Sequence, residues 1–194
     1  MYKRQGNKWK DKKGEEVSGA FNRESKLYVQ GDFGQIGFGR LGSLAGGAQS
    51  NNMLTGWALG TSYDAGSWTN FAKGNGRLNN AVAYVSPEFA GFKLSAMYSN
   101  GTDKDTAKWA QNDHYYGLGL AYQLANYRNT LIFEAADNKG GDKETAYSIN
   151  LGLGYDLGSI TPQFAYQYAW QDDQYKQHVF GLSAAAPVAG GVVK

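Results

Sequence analysis

The stretch Glu144–Asp156, ETAYSINLGLGYD, decides how the rest of the chain is read. Tyr147, Ile149, Leu151, Leu153 and Tyr155 fall on one face of a two-residue period, and Ala146, Ser148, Asn150, Gly152 and Gly154 fall on the other. Strict alternation of this kind is the signature of a β-strand. It runs for about a dozen residues, against ~5–6 for an ordinary strand. Tyrosines bracket the aliphatic middle. That order suits a strand facing lipid, with hydroxyls at headgroup level and hydrocarbon between them.

The pattern recurs on both sides. Phe164, Tyr166, Tyr168 and Trp170 oppose Gln163, Ala165, Gln167 and Ala169, after a turn-like Asp156–Ser159. Tyr116, Leu118, Leu120 and Tyr122 oppose Tyr115, Gly117, Gly119 and Ala121, and Phe92, Leu94, Ala96 and Tyr98 oppose Lys93, Ser95, Met97 and Ser99. Weaker runs cover Ser25–Gly31, Gln35–Leu41, Asn79–Ser86, Arg128–Ala136 and Lys176–Ala186. About nine strands are expected. Their connections alternate in length. Tight ones fall at Asp32–Gly34, Pro87–Gly91, Leu124–Tyr127 and Asp156–Ser159, and longer polar ones at Gly42–Leu78, Asn100–Asn112, Asp137–Lys143 and Gln171–Tyr175. Short turns at one end and long loops at the other describe an up-and-down meander.

Composition agrees. The 194 residues include 27 Gly, 3 Pro and 14 Tyr, with a net charge of +2. Interior glycines cost a helix roughly 1 kcal/mol each, so a helical protein is excluded. The near-balance of charge argues against a nucleic-acid partner. No cysteine is present, which removes disulfide frameworks, thiolate catalysis and Cys-based metal sites. Mean hydropathy is −0.53, a value that alternating membrane strands share with soluble proteins. A soluble β-sandwich also alternates, with its apolar face buried. A lectin-like, carbohydrate-binding sandwich is therefore the alternative to an antiparallel transmembrane β-barrel; a barrel that merely anchors is a minor third reading. In a barrel Tyr147, Ile149, Leu151, Leu153 and Tyr155 stay exposed; in a sandwich they are covered.

Two linked motifs carry a resemblance. Residues Arg23–Arg40 read RESKLYVQGDFGQIGFGR, and Arg77–Phe92 read RLNNAVAYVSPEFAGF. At this spacing they resemble the general Gram-negative porins of the Neisseria/Burkholderia type, over most of the chain from about Arg23 onward. The resemblance implies a sixteen-stranded barrel in the outer membrane, assembled as a homotrimer among lipid and lipopolysaccharide. Its activity would be passive diffusion of small hydrophilic solutes and ions, with no cofactor. It also implies that this chain is an internal portion. Residues 1–24 would be the remnant of an extracellular loop, the first five a junction scar, and 25–194 a partial barrel.

In the same family a long third loop folds inward and narrows the lumen, and residues 42–78 stand in its place. A loop this much longer than the usual ~12–15 residues calls for a purpose. The expected constriction charges are Arg40, Asp64, Lys73 and Arg77. Strict alternation would send Arg40 to lipid with Ile36 and Phe38, so either a bulge at Gly39 that redirects it or an end position where its side chain reaches water is expected. Lys26 and Lys93 share parity with the small-residue face and are expected to line the pore, with a solvated charge near a rim as the equal alternative for each. The lipid-facing set is Tyr147, Ile149, Leu151, Leu153, Tyr155, Phe164, Tyr166 and Tyr168. Ala83 and Val85 depart from the charged residues that family members often carry there, so only a weak anion preference is expected. His114 and His178 read as interfacial or solvated rather than metal-binding. Asp103, Asp105 and Asp113 are interrupted by Lys104 and Lys108, and Asp172 and Asp173 read as a solvated loop tip. Lys8–Lys13 could meet lipopolysaccharide phosphates, but a plain extracellular loop accounts for them better. No catalytic triad or phosphate loop is visible, so no enzyme is expected.

Overall fold

A computed structural model describes residues 9–10, 16–17, 24–46, 53, 76–101, 112–137 and 144–193. Two very short strands, β1 (Trp9–Lys10) and β2 (Glu16–Val17), pair with each other. The rest is one antiparallel sheet of ten strands. They are β3 (Ser25–Gly31), β4 (Gly34–Gly42), β5 (Arg77–Val85), β6 (Phe92–Gly101), β7 (His114–Leu124), β8 (Tyr127–Asp137), β9 (Ala146–Tyr155), β10 (Thr161–Gln171), β11 (Tyr175–Val188) and β12 (Gly191–Val193). Each pairs with its neighbours in sequence, and β3 and β12 lie at opposite edges. This is an up-and-down meander, unclosed.

All nine expected strands are present. The tenth, β12, is only three residues long and carries no alternation to read. The β1–β2 ladder is likewise too short to leave a period. One expectation needs correcting. Gln171–Tyr175 is not a long connection: Asp172–Gln174 make a tight turn, in which the Gln174 N–H donates to the Gln171 carbonyl at 3.1 Å and Asp173 adopts φ 57°. Connection length therefore does not alternate strictly. The aspartates there are exposed, as expected of a loop tip.

Successive side chains of a strand point to opposite faces, and the two faces differ throughout. Adjacent rows on the inner face read Met97, Gly117, Glu134, Ser148 and Ala169, then Ser95, Gly119, Ile132, Asn150 and Gln167. The non-glycine members of both rows are buried. On the outer face Leu118, Leu120, Leu131, Phe133, Ile149, Leu153 and Tyr155 are exposed, while Tyr147, Leu151, Phe164, Tyr166 and Tyr168 are half-covered by their neighbours. The strands make appreciable contact only with their ladder partners. No second layer lies over the apolar face among the described residues, which removes the sandwich reading.

Aromatic side chains collect at the two rims of the outer face. At the tight-turn end Phe92 meets Tyr122 with ring centroids 4.5 Å apart, and Tyr127 meets Tyr155 at 4.7 Å. At the other end Tyr98 meets Tyr116 at 5.4 Å, Tyr147 meets Trp170 at 5.1 Å and Tyr168 meets His178 at 4.6 Å. From Tyr147 to Tyr155 the strand runs about 27 Å at ~3.4 Å per residue. Tilted by ~40°, that spans about 20 Å, near the ~25 Å apolar band of an outer-membrane barrel. Among the described residues no helix is long and apolar enough to cross a membrane.

Two substitutions separate the faces. Leu151→Arg, at mid-height on the outer face, should destabilise the folded protein in lipid vesicles by about 2–4 kcal/mol. Ser183→Arg, on the inner face of β11, should stay within about 0.5 kcal/mol. Urea unfolding followed by tryptophan fluorescence measures both.

Candidate functional site

The functional surface of such a sheet is its inner wall, together with whatever folds across that wall. β4 ends at Gly42, and the chain turns onto the inner face instead of continuing outward. The Ser43 N–H donates to the Gly76 carbonyl at 2.8 Å, which closes the neck of the long segment just before β5 begins. Ser43, Leu44 and Ala45 are buried, and Leu41 and Leu44 join Met97, Tyr115 and Ile132 in one apolar cluster. Met53 packs against this cluster, and its N–H donates to the Leu44 carbonyl at 2.8 Å. The root of the 42–78 segment therefore lies on β7 and β8.

The wall is shaped to receive it. A side chain at Gly117 would come within 3.0 Å of Leu44 Cδ1, and one at Gly119 would collide with the Met53 sulfur. The paired glycines leave a trough on β7. Polar groups beside the trough hold the loop backbone. The Leu44 N–H donates to the Tyr115 hydroxyl at 3.2 Å, and the Ala45 N–H donates to Glu134 Oε1 at 2.9 Å. Tyr115 donates its own hydroxyl proton to the same carboxylate oxygen at 2.6 Å. Behind Glu134 the chain of bonds continues. Ser148 Oγ donates to Glu134 Oε2 at 3.3 Å, Asn150 Nδ2 to Ser148 Oγ at 3.1 Å, and Gln167 Nε2 to Asn150 Oδ1 at 2.7 Å. One polar network thus links four strands and ends on the loop.

A register shift is present, but not on β4 as expected: β4 keeps regular pairing with β3 through Arg40 and Ser25, so a redirection of Arg40 by a bulge at Gly39 is not shown. Between Gly39 and Leu41 the register of β4 against β5 shifts, and the extra residue lies on β5, where Asn79 and Asn80 face Arg40. Asn80 takes φ 49° and Gly39 takes φ 130°, a conformation other residues rarely adopt. A Cβ on Gly39 would run into the Ser25 carbonyl. Arg40 is half-buried, and its Nη1 donates to the Asn79 side-chain carbonyl.

Lys26 lies across Gly37 on the inner face, its Nζ donating to Gln35 Oε1 at 3.1 Å and standing 5.6 Å from the Tyr28 ring centroid. Lys93 is on the inner face nearer the tight turns, exposed, 4.0 Å from Glu88. Arg77 is exposed at the start of β5. Arg40 and Lys26 are thus brought to the same end of neighbouring strands, and Lys93 is not. Asp64 and Lys73 lie outside the described residues, as do Trp57, Tyr63, Trp68, Phe71, Asp103 and Asp105. His114 is interfacial but not solvated: it is buried, with Nδ1 3.1 Å from the Tyr98 hydroxyl. His178 is exposed beside Tyr166, at 2.9 Å from its hydroxyl. No group of three or more potential metal ligands occurs among the described residues.

Two inner-wall residues escaped the sequence reading. Arg128 shares its face with Thr130, Ile132 and Glu134, and Glu134 itself is 1% exposed. The signal was the parity of RNTLIFEAAD, in which Leu131 and Phe133 mark the outer face. Ile132, a large apolar residue on the inner face, masked it.

Comparisons with known proteins bear on this geometry. The family model described as Gram-negative porin matches residues 5–194. An outer membrane porin, protein 32 of Delftia acidovorans, is 28% identical over 191 residues, covering 90% of this chain and 52% of that one. An anion-selective porin from Comamonas acidovorans superposes with a TM-score of 0.60 at 23% identity, over 89% of this chain and 55% of that one. A porin refined at 1.8 Å superposes with a TM-score of 0.58 at 17% identity, over 84% and 60%. The chain spans about half the length of the curated relative it matches.

The trough gives a direct check. Gly119→Val should force Met53 out of its seat or strain the wall, and overpacking of this kind costs typically 1–3 kcal/mol. Thermal unfolding of the membrane-inserted protein measures the loss.

Proposed function

Because the chain belongs to the Gram-negative porin family, we propose that it supplies about half the wall of a water-filled channel that passes small hydrophilic solutes and ions without bond-making chemistry. Its setting is the outer membrane. The observation that carries this reading is the root of the long segment, folded onto the inner wall and bonded to Tyr115 and Glu134. A loop held inside a lumen narrows it, and width and charge at the narrowest point decide what crosses. Residues 42–78 are that constriction, with Arg40, Asp64, Lys73 and Arg77 as its charged rim, and residues 1–24 belong to a loop at the same end. Further strands close the barrel, so that no ladder edge meets lipid. Three such barrels assemble side by side.

Charge on the wall favours anions. Among the described strand positions of the inner face, Lys26, Lys93 and Arg128 are basic and Glu134 is acidic. Glu134 is covered by the loop backbone, so its charge is withdrawn from the lumen water. The anion selectivity named for the Comamonas relative agrees with this distribution. The preference is weak, because Ala83 and Val85 contribute no charge.

Planar-bilayer recording on the protein purified from outer membranes tests both claims. Conductance should rise in threefold steps, and the reversal potential in a salt gradient should report anion preference. Replacing Lys26 and Arg128 together by Glu should move that potential toward the cation side. Clear cation preference in the unsubstituted protein overturns the selectivity, and absence of conductance overturns the channel.

A further inference from the structure

We propose that Glu134 is the positioning residue of the constriction: it fixes the root of the 42–78 segment against β7 and β8 and so sets the clear width of the channel. The proposal rests on the pore reading above and adds the device that holds the loop in place.

A carboxylate on the wall of a watery lumen would ordinarily point into solvent. This one is 1% exposed and acts purely as an acceptor, taking the Ala45 N–H, the Tyr115 hydroxyl and the Ser148 hydroxyl. Leu44 and Ala45 lie beyond the end of β4, so their N–H groups point away from any ladder. Both are buried, and a buried N–H without a partner costs about as much as a lost hydrogen bond. Tyr115 satisfies the first and Glu134 the second, while the hydroxyl of Tyr115 is itself oriented by Glu134. One carboxylate thereby governs both loop contacts. It is in turn braced by Ser148 of β9, which accepts from Asn150 on the same strand, and Asn150 accepts from Gln167 of β10. The glycine trough supplies room for the loop but no directional bond, so it permits the in-folded position and Glu134 selects it.

The chain contains no cysteine, so Met53→Cys places a single thiol in it at the trough. The experiment follows the reaction of that thiol with a charged, water-soluble methanethiosulfonate, and the accompanying change in single-channel current, in protein purified from outer membranes. With Glu134 intact the reaction should be slow. Glu134→Ala should accelerate it about tenfold, the factor for ~1.4 kcal/mol, and should raise the conductance and its noise. Tyr115→Phe should accelerate it less. Glu134→Gln, which keeps a carbonyl acceptor for Ala45, should restore the slow rate. Heat-resistant migration on gels reports whether the barrel is intact. An intact Glu134→Ala barrel reacting at the original rate overturns the positioning role and leaves the pore reading standing. Should Glu134→Ala fail to assemble, Tyr115→Phe decides in its place: an unchanged rate there overturns the role. Modification that never alters the current in any background overturns the pore reading of this segment instead.

Discussion

Inside hydrocarbon no water is available to a backbone amide, so every N–H and C=O of a spanning strand must find its partner in the next strand. The rest of this architecture follows from that. β4 through β11 each have a ladder neighbour on both sides, and the pairing is continuous across hairpin after hairpin. A ladder so complete needs no second layer to support it. It needs an outer face that lipid will accept and an inner face that tolerates water, and a two-residue period delivers both from one strand. The aromatic rims then fix the height at which the sheet sits.

This constraint explains which parts of the fold were legible in the sequence. Tyr147, Ile149, Leu151, Leu153 and Tyr155 could be read directly because each strand meets lipid on one side only, and lipid asks the same thing of every position. Glu134 and Arg128 were harder. They face an interior whose demands change from residue to residue: Ile132 packs in the apolar cluster with Leu44, while Asn150, paired with it on the next strand, sits in a polar network. Period-2 reading expects uniform polarity on that face, and Ile132 breaks it. The three-residue β12 shows no period to read, and the tight turn at Asp172–Gln174 was missed for a simpler reason. Polar composition does not distinguish a three-residue turn from the start of a long loop.

The site was legible in outline and not in mechanism. The length of the 42–78 segment set it apart from the other connections, and its root does lie on the inner wall. What linear order could not reveal was which wall the loop would lie on. Ala45 and Glu134 are separated by 89 positions, and only the closing of four hairpins brings them together. The bulge likewise belongs to two strands at once. Gly39 supplies the unusual backbone angle, but the additional residue is contributed by Asn79 and Asn80 from across the ladder.

The bond from Ser43 to Gly76 has a consequence for how such proteins diversify. Because the two stems are already joined there, the register of β4 and β5 is insulated from whatever length of chain is inserted between them. Lengthening an insert adds little closure entropy, about 0.6 kcal/mol for each doubling. Evolution can therefore exchange this cassette wholesale while the scaffold that carries it keeps its alignment.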